Sequence, residues 1–197
     1  MASKNSDIKA RRDAVRALDK KGAVAEFLDA AQQLVKDFPK HPAALMELGI
    51  ALTDVARYDE ALAALNKSIR RMKPKYHAIP FALKGDLYQA KGNYRLAEQW
   101  YRKAIDLEPR NAEWRAFLGG VLAKQGRLGE AKEVWRKQIK LNTGATDEGY
   151  LNLGLIYRSE QKYKIALRNA EKALKIDPYY EEAKMLRDDL LNALNGR

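Results

Sequence analysis

The chain has 197 residues, 46% of them hydrophobic, which suits one globular body and is short for two. It has no cysteine, which excludes disulfides and thiolate metal sites and makes a reducing, cytoplasmic location the expectation. The net charge of +11 favours an acidic partner, nucleic acid or an anionic surface, yet the excess is spread along the chain and forms no basic tail.

No apolar run at the start resembles a signal peptide, and no stretch approaches the roughly 18 apolar residues of a membrane span. In chain order, residues 7–41 read as two helical patterns, 10–20 and 23–38, around Lys21-Gly22, with Pro39 closing the unit. Residues 42–77 carry Leu45, Leu48, Gly49 and Leu52 in a first helix and Ala61, Leu65 and Ser68 in a second. The close of this unit, residues 71–77, is two residues longer than its counterparts. Pro74 and Pro80 bracket it, so it is expected to be an irregular loop.

Residues 78–111 are the clearest unit: Phe81, Gly85 and Tyr88, then Lys91-Gly92-Asn93, then Ala97, Tyr101, Ala104 and Pro109. Residues 112–146 repeat it with Trp114, Leu118, Gly119, Leu122, Gly126, Ala131 and Trp135, and Thr143 where proline is usual. Residues 147–180 do so with Tyr150, Leu153, Gly154, Tyr157, Ala166, Ala170, Ala173 and Pro178. A last pattern, 181–194, places Ala183, Leu186, Leu190, Leu191 and Leu194 on one face and charges on the other, as a solvating end helix requires.

Five units at spacings of 34 to 36 residues with these fillers resemble the tetratricopeptide repeat (TPR) family. The resemblance implies an all-α fold over a single domain, 1–197: a right-handed superhelical α-solenoid of five helix-turn-helix repeats plus a C-terminal capping helix. Gly49, Gly85, Gly119 and Gly154 face Ala61, Ala97, Ala131 and Ala166, letting paired helices approach below the usual separation of about 8–10 Å. Tyr88, Tyr101, Trp135 and Tyr157 are expected to fill the space between adjacent hairpins. Gly22, Gly92 and Gly126 fall where first helices end, in the left-handed cap that glycine adopts without strain.

Catalysis finds no foothold. The two histidines, His41 and His77, fall in connections beside prolines and are expected to be exposed; no metal motif, phosphate loop or Ser-His-Asp set is present. No enzyme activity, metal or cofactor is expected.

In the family the groove is lined by set positions of each first helix. Here these carry Met46, Ile50, Ile79, Leu83, Asp86, Phe117, Lys124, Leu151, Asn152, Leu155 and Arg158, an apolar set for a water-facing surface. Glu47 maps to the same surface. Each apolar position reads either as open groove or as packing between repeats, and Lys84, in a slot the family fills with leucine, bears on the register of Leu83. The clamp by which some family members hold acidic chaperone tails is not matched: only Asn152 fits. The function this implies is a non-enzymatic scaffold or adaptor that binds a peptide or helix of a partner protein in its groove. Lys67, Lys103, Lys137 and Lys172 share one slot of successive second helices and form a basic ladder. This supports an alternative, a nucleic-acid-associated protein using its convex face. Self-association of stacked end faces is a third reading.

Overall fold

A computed structural model describes residues 2–141 and 144–196, with side chains from Asp7 onward. The regular elements among the described residues are all helices, with no strand, and Thr143 lies outside the described residues. They fall into two compact units, one ending at Leu107 and one beginning at Glu108. The first unit comprises α1 (Ala2–Lys20), α2 (Val24–Asp37), α3 (Pro42–Asp54), α4 (Tyr58–Ile69), α5 (Ala78–Ala90) and α6 (Tyr94–Leu107). The second comprises α7 (Ala112–Lys124), α8 (Leu128–Leu141), α9 (Thr146–Ser159), α10 (Tyr163–Ile176) and α11 (Glu181–Asn195). Each consecutive pair up to α10 coincides with one sequence repeat, and α11 is the unpaired end helix.

The second helices bury a narrow stripe at three- and four-residue spacing: Ala61, Leu65 and Ser68 in α4; Ala97, Tyr101 and Ala104 in α6; Ala131, Trp135 and Gln138 in α8; Ala166, Ala170 and Ala173 in α10. The helical glycines face this stripe. A Cβ on Gly85 would stand 2.5 Å from Tyr101 Cε1, and one on Gly49 2.7 Å from Leu65 Cδ2. One on Gly119 would overlap the Trp135 indole. The large residues therefore divide. Tyr101 and Trp135, expected between hairpins, lie inside their own hairpin against its glycine. Tyr88 packs against the cluster that holds Leu52, Ala61 and Leu65 of the preceding hairpin, and Tyr157 accepts a hydrogen bond from Arg136 of the preceding hairpin at 2.7 Å.

Gly22, Gly92 and Gly126 adopt φ of 69°, 76° and 75°, as their place after a first helix requires. Ala56 and Gln161 occupy the same slot in the other two repeats and adopt the same left-handed conformation, at φ 59° and 58°.

Four features depart from the sequence reading. Pro80 does not bound the long connection: it sits in the first turn of α5, where a missing N–H has no helical acceptor to lose. The connection itself contains a short 3-10 turn, Pro74–Tyr76. In α11 Ala183, Leu186 and Leu190 are buried, whereas Leu191 is exposed. Glu47 is fully buried instead of lining a groove. Arg16 Nε donates to its Oε1 at 2.8 Å and Arg12 approaches at 3.4 Å, fastening α1 over α3. Burial raises the Glu47 pKa and outweighs the pull of the two guanidinium groups.

Candidate functional site

In each unit, neighbouring first helices leave a cleft. In the first unit it lies between α3 and α5, has a volume of about 210 Å³, and is lined by Gly49, Ile50, Thr53, Asp54, Leu83 and Asp86. Residues 49, 50, 53 and 54 share one face of α3 by their three- and four-residue spacing, and Leu83 and Asp86 share one of α5. Tyr101, buried beneath, donates its hydroxyl to Asp86 Oδ1 at 2.6 Å, and Thr53 Oγ1 donates to the Gly49 carbonyl at 2.8 Å. The Tyr101 pKa is pushed far up, by burial first and by the Asp86 charge second, so the phenol stays a donor. Asp54 has its pKa raised by partial burial and then by the charge of Asp19.

In the second unit the cleft lies between α9 and α11, has a volume of about 440 Å³, and is lined by Leu151, Leu155, Arg158, Glu182, Met185, Leu186 and Asp189. Its walls are apolar: Leu155 is 43% exposed and Met185 71%. An ion pair crosses the two helices, Arg158 Nε to Asp189 Oδ2 at 2.6 Å. Both partners are about half exposed, so the pair contributes under about 1 kcal/mol and can open for a ligand.

The structure thus gathers six of the eleven sequence-predicted residues into the two clefts. Ile50, Leu83 and Asp86 line the first, and Leu151, Leu155 and Arg158 the second. Met46 is buried in the cluster that includes Ala43, Leu65 and Leu87, and does not reach the surface. Ile79 is exposed in the first turn of α5, Phe117 and Asn152 are half-buried, and Lys124 is exposed; none of these four lines either cleft. Thr53 and Asp54 complete the first cleft. Glu182, Met185, Leu186 and Asp189 of the end helix complete the second, because α11 takes the place of a further first helix. That role was legible in its spacing, which repeats the groove positions of the preceding units.

Lys84 settles the register of α5. Its side chain is buried, with Nζ 3.4 Å from the centroid of the Trp100 ring and donating to Asn66 Oδ1 at 3.1 Å. It therefore fills the core slot itself and leaves Leu83 to the cleft. Burial, and then Lys103, lower its pKa to about 8.

The histidines are half-buried and engaged, not exposed. His41 caps α3, its Nδ1 accepting from the Ala43 N–H at 3.2 Å, and its pKa is lowered by burial and then by Arg12. His77 Nε2 lies 3.1 Å from the Met72 carbonyl, and its ring meets Phe81 edge-on at 5.6 Å. Among the described residues no group of three or more His, Cys, Asp or Glu could hold a metal ion. No described helix is long and apolar enough to cross a membrane. The four ladder lysines are exposed. Aromatic rings do lie beside two of them, but Lys103 sits 4.2 Å from the Trp100 centroid and Lys172 5.3 Å from that of Tyr150, so those faces are already covered by an ammonium group.

Helical hairpins with a glycine packed on a large side chain of the paired helix in three of them, Gly49 on Leu65, Gly85 on Tyr101 and Gly119 on Trp135, and a left-handed residue at each bend define a helical-repeat protein. Models of the tetratricopeptide repeat match residues 41–110 and 147–180, together more than half of the chain. The chain belongs to the tetratricopeptide repeat family. A TPR repeat-containing protein of Methanocaldococcus jannaschii is 28% identical over 159 residues, covering 79% of this chain and 27% of its own length. The chain spans 10% to 27% of the length of the curated relatives it matches. Among solved structures, a thermophilic TPR protein of Thermus thermophilus superposes with a TM-score of 0.75 at 20% identity, over 93% of this chain and 98% of that one. YrrB, a TPR protein with an unusual peptide-binding site, superposes at 0.62 and 20% identity over 90% of each chain. At these identities the structural likeness concerns the fold.

Proposed function

We propose that the chain, acting as a single repeat domain in the cytoplasm, is a non-enzymatic scaffold that binds a peptide or helix of a partner protein along its first helices. The carrying observation is the α9/α11 cleft, where Leu155 and Met185 are exposed over a floor of buried Leu151 and Leu186, beside a breakable ion pair. Exposed leucine and methionine at helical spacing suit the apolar anchors of an amphipathic segment, and methionine adapts its shape to what it meets. A peptide-binding site is named for one structural neighbour, and the reading for this chain is of that kind. Ile79, Phe117, Lys124 and Asn152 are then rim positions that bear on orientation more than on affinity.

Selection of a phage-displayed random peptide library on the full chain tests this. The expected result is a consensus with two apolar anchors, whose affinity drops at least about tenfold on Leu155→Asp or Met185→Asp, as loss of a buried anchor requires. Circular dichroism of each variant guards against unfolding. No enriched consensus, or binding indifferent to both substitutions, overturns the reading. Salt-steep capture of nucleic acid by the same preparations would move attention to the exposed lysine ladder.

A further inference from the structure

The connection between α4 and α5 carries a charge pattern that the even spread of the net +11 conceals. From Ala61 to Gly85 the chain runs 25 residues without an aspartate or glutamate, its longest such run, and carries six lysines and arginines. Four of these, Arg70, Arg71, Lys73 and Lys75, fall close together and are exposed. None of the four pairs with a described carboxylate. The preceding acidic residues, Asp59 and Glu60, are engaged by Lys91 and Arg57.

Two of the four cations have a reason in the fold. Arg70 and Arg71 follow the last turn of α4, where a helix end favours positive charge, and Arg71 Nη1 donates to the Lys67 carbonyl at 3.4 Å. Lys73 and Lys75 have no such reason. They flank Pro74 beyond the helix, and Lys75 Nζ lies 4.9 Å from the centroid of the Tyr76 ring, a residue that is itself 54% exposed.

The segment is also held in shape. The Tyr76 N–H donates to the Lys73 carbonyl at 2.9 Å, and His77 Nε2 lies 3.1 Å from the Met72 carbonyl. Ser68 Oγ donates to the Pro42 carbonyl at 3.0 Å and anchors the end of α4. A ligand therefore meets a preformed backbone, and little ordering entropy opposes binding. All of residues 70–76 except Met72 are exposed, so the segment projects from its hairpin and lines no cleft of its own.

That shape selects the kind of partner. Single-stranded nucleic acid takes a groove with open aromatic faces among its cations, and here the ring beside the cations already has an ammonium group over it. An anionic bilayer needs no groove, attracts clustered lysine and arginine, and accepts tyrosine at headgroup level.

We propose that residues 70–76 are a membrane-docking surface, on which Arg70, Arg71, Lys73 and Lys75 meet the headgroups of anionic phospholipids with Tyr76 beside them at the interface. The contact is peripheral and held by charge; no described helix is of a kind to span the bilayer. The proposal goes beyond the peptide reading and does not depend on it, since the surface lies wholly within the first unit.

The test is co-sedimentation of the full chain with phosphatidylcholine vesicles, with and without phosphatidylserine. Binding is expected only where phosphatidylserine is present, and it should weaken as salt is raised, because salt screens exposed charges. Each cation near an anionic surface is worth about a fivefold factor, so Lys73→Gln combined with Lys75→Gln should weaken binding about 25-fold. Lys137→Gln combined with Lys172→Gln removes the same charge elsewhere and should leave binding within about twofold of wild type. All four lysines are exposed, so circular dichroism should be unchanged in both variants. No binding to the phosphatidylserine vesicles, or equal binding to both kinds, overturns the proposal. So does an equal loss in the two double variants, which would show that only net charge matters. A single-stranded oligonucleotide is titrated beside the vesicles. If it alone is bound, and through Lys73 and Lys75, the surface belongs to nucleic acid and the membrane proposal falls. None of these outcomes bears on peptide selection at the α9/α11 cleft, so the two readings fail separately.

Discussion

Tyr101 hands its one hydroxyl proton to Asp86 at 2.6 Å, and in doing so ties the largest fully buried side chain of the third hairpin to the wall of a surface cleft. The ring lies against Gly85 and the hydroxyl reaches the solvent-side carboxylate, so fold and site share one residue. Tyr101→Phe keeps the ring and removes the bond. It should cost about 1–2 kcal/mol, the range for a hydrogen bond to a charged group that water can partly replace. Urea denaturation read by circular dichroism measures this. A loss below about 0.3 kcal/mol would show that the bond contributes nothing net.

Gly85 and Gly120 make a matched pair, since both lie inside helices and only one is crowded. A Cβ at Gly85 would meet Tyr101 at 2.5 Å, whereas one at Gly120 would meet nothing within 4 Å. Alanine gains about 1 kcal/mol over glycine in a helix interior. Gly120→Ala should therefore stabilise by up to about 1 kcal/mol. Gly85→Ala should destabilise by about 1–2 kcal/mol, because overpacking against a ring with no room to retreat outweighs that gain. Thermal melts of the two variants should move in opposite directions.

The bends between paired helices offer a third comparison. Gln161 holds φ 58° and Ala56 φ 59° in a slot that glycine fills three times elsewhere in the chain. A side chain in the left-handed region costs roughly 1–2 kcal/mol, part of which glycine returns as unfolded-state entropy. Gln161→Gly and Ala56→Gly should each stabilise by about 0.5–1 kcal/mol, while Gly92→Ala should do the reverse. Additive gains in the double mutant are expected, because the bends lie in separate hairpins.

These bends also show what was legible in the sequence. Gly92 announces a left-handed bend because only glycine does so cheaply, but Ala56 and Gln161 adopt it by force of the packing around them and carry no signal of their own. The glycine–alanine slots were readable because they recur. Whether Tyr101 fills space within its hairpin or between hairpins was not, since either place suits a large ring at that spacing. Ile50, Leu83 and Leu155 were found by their repeat position. Met46, at an equivalent position, went under the surface in the packing around Leu65 and Leu87. Glu47 was lost to the groove because pairing across 31 residues with Arg16 leaves no trace in local periodicity. Pro80 read as a boundary because proline both ends helices and opens them, and only the chain path decides which.

Lys84 gives the last test, and its direction can be worked out from the pKa. The folded value is lowered from 10.5 to about 8 by burial and by Lys103, so the folded state binds its proton less readily than the unfolded chain does. Below about pH 8 the ammonium is charged in both states and the full penalty of holding it beside Trp100 and Lys103 is present. Between about pH 8 and 10.5 the folded state has released the proton and the unfolded state has not, so stability rises with pH across that window. Lys84→Leu removes the penalty and restores the apolar filler of the slot. It should stabilise the protein by about 1 kcal/mol at pH 7, a figure reduced for the solvent that still reaches the ammonium and for the lost contacts with Trp100 and Asn66. The gap between variant and wild type should then narrow as pH climbs from 8 to 10. A constant gap over that range would mean that Lys84 titrates normally and that its burial carries no electrostatic cost; a wild type more stable than the variant at pH 7 would mean that the Trp100 and Asn66 contacts dominate.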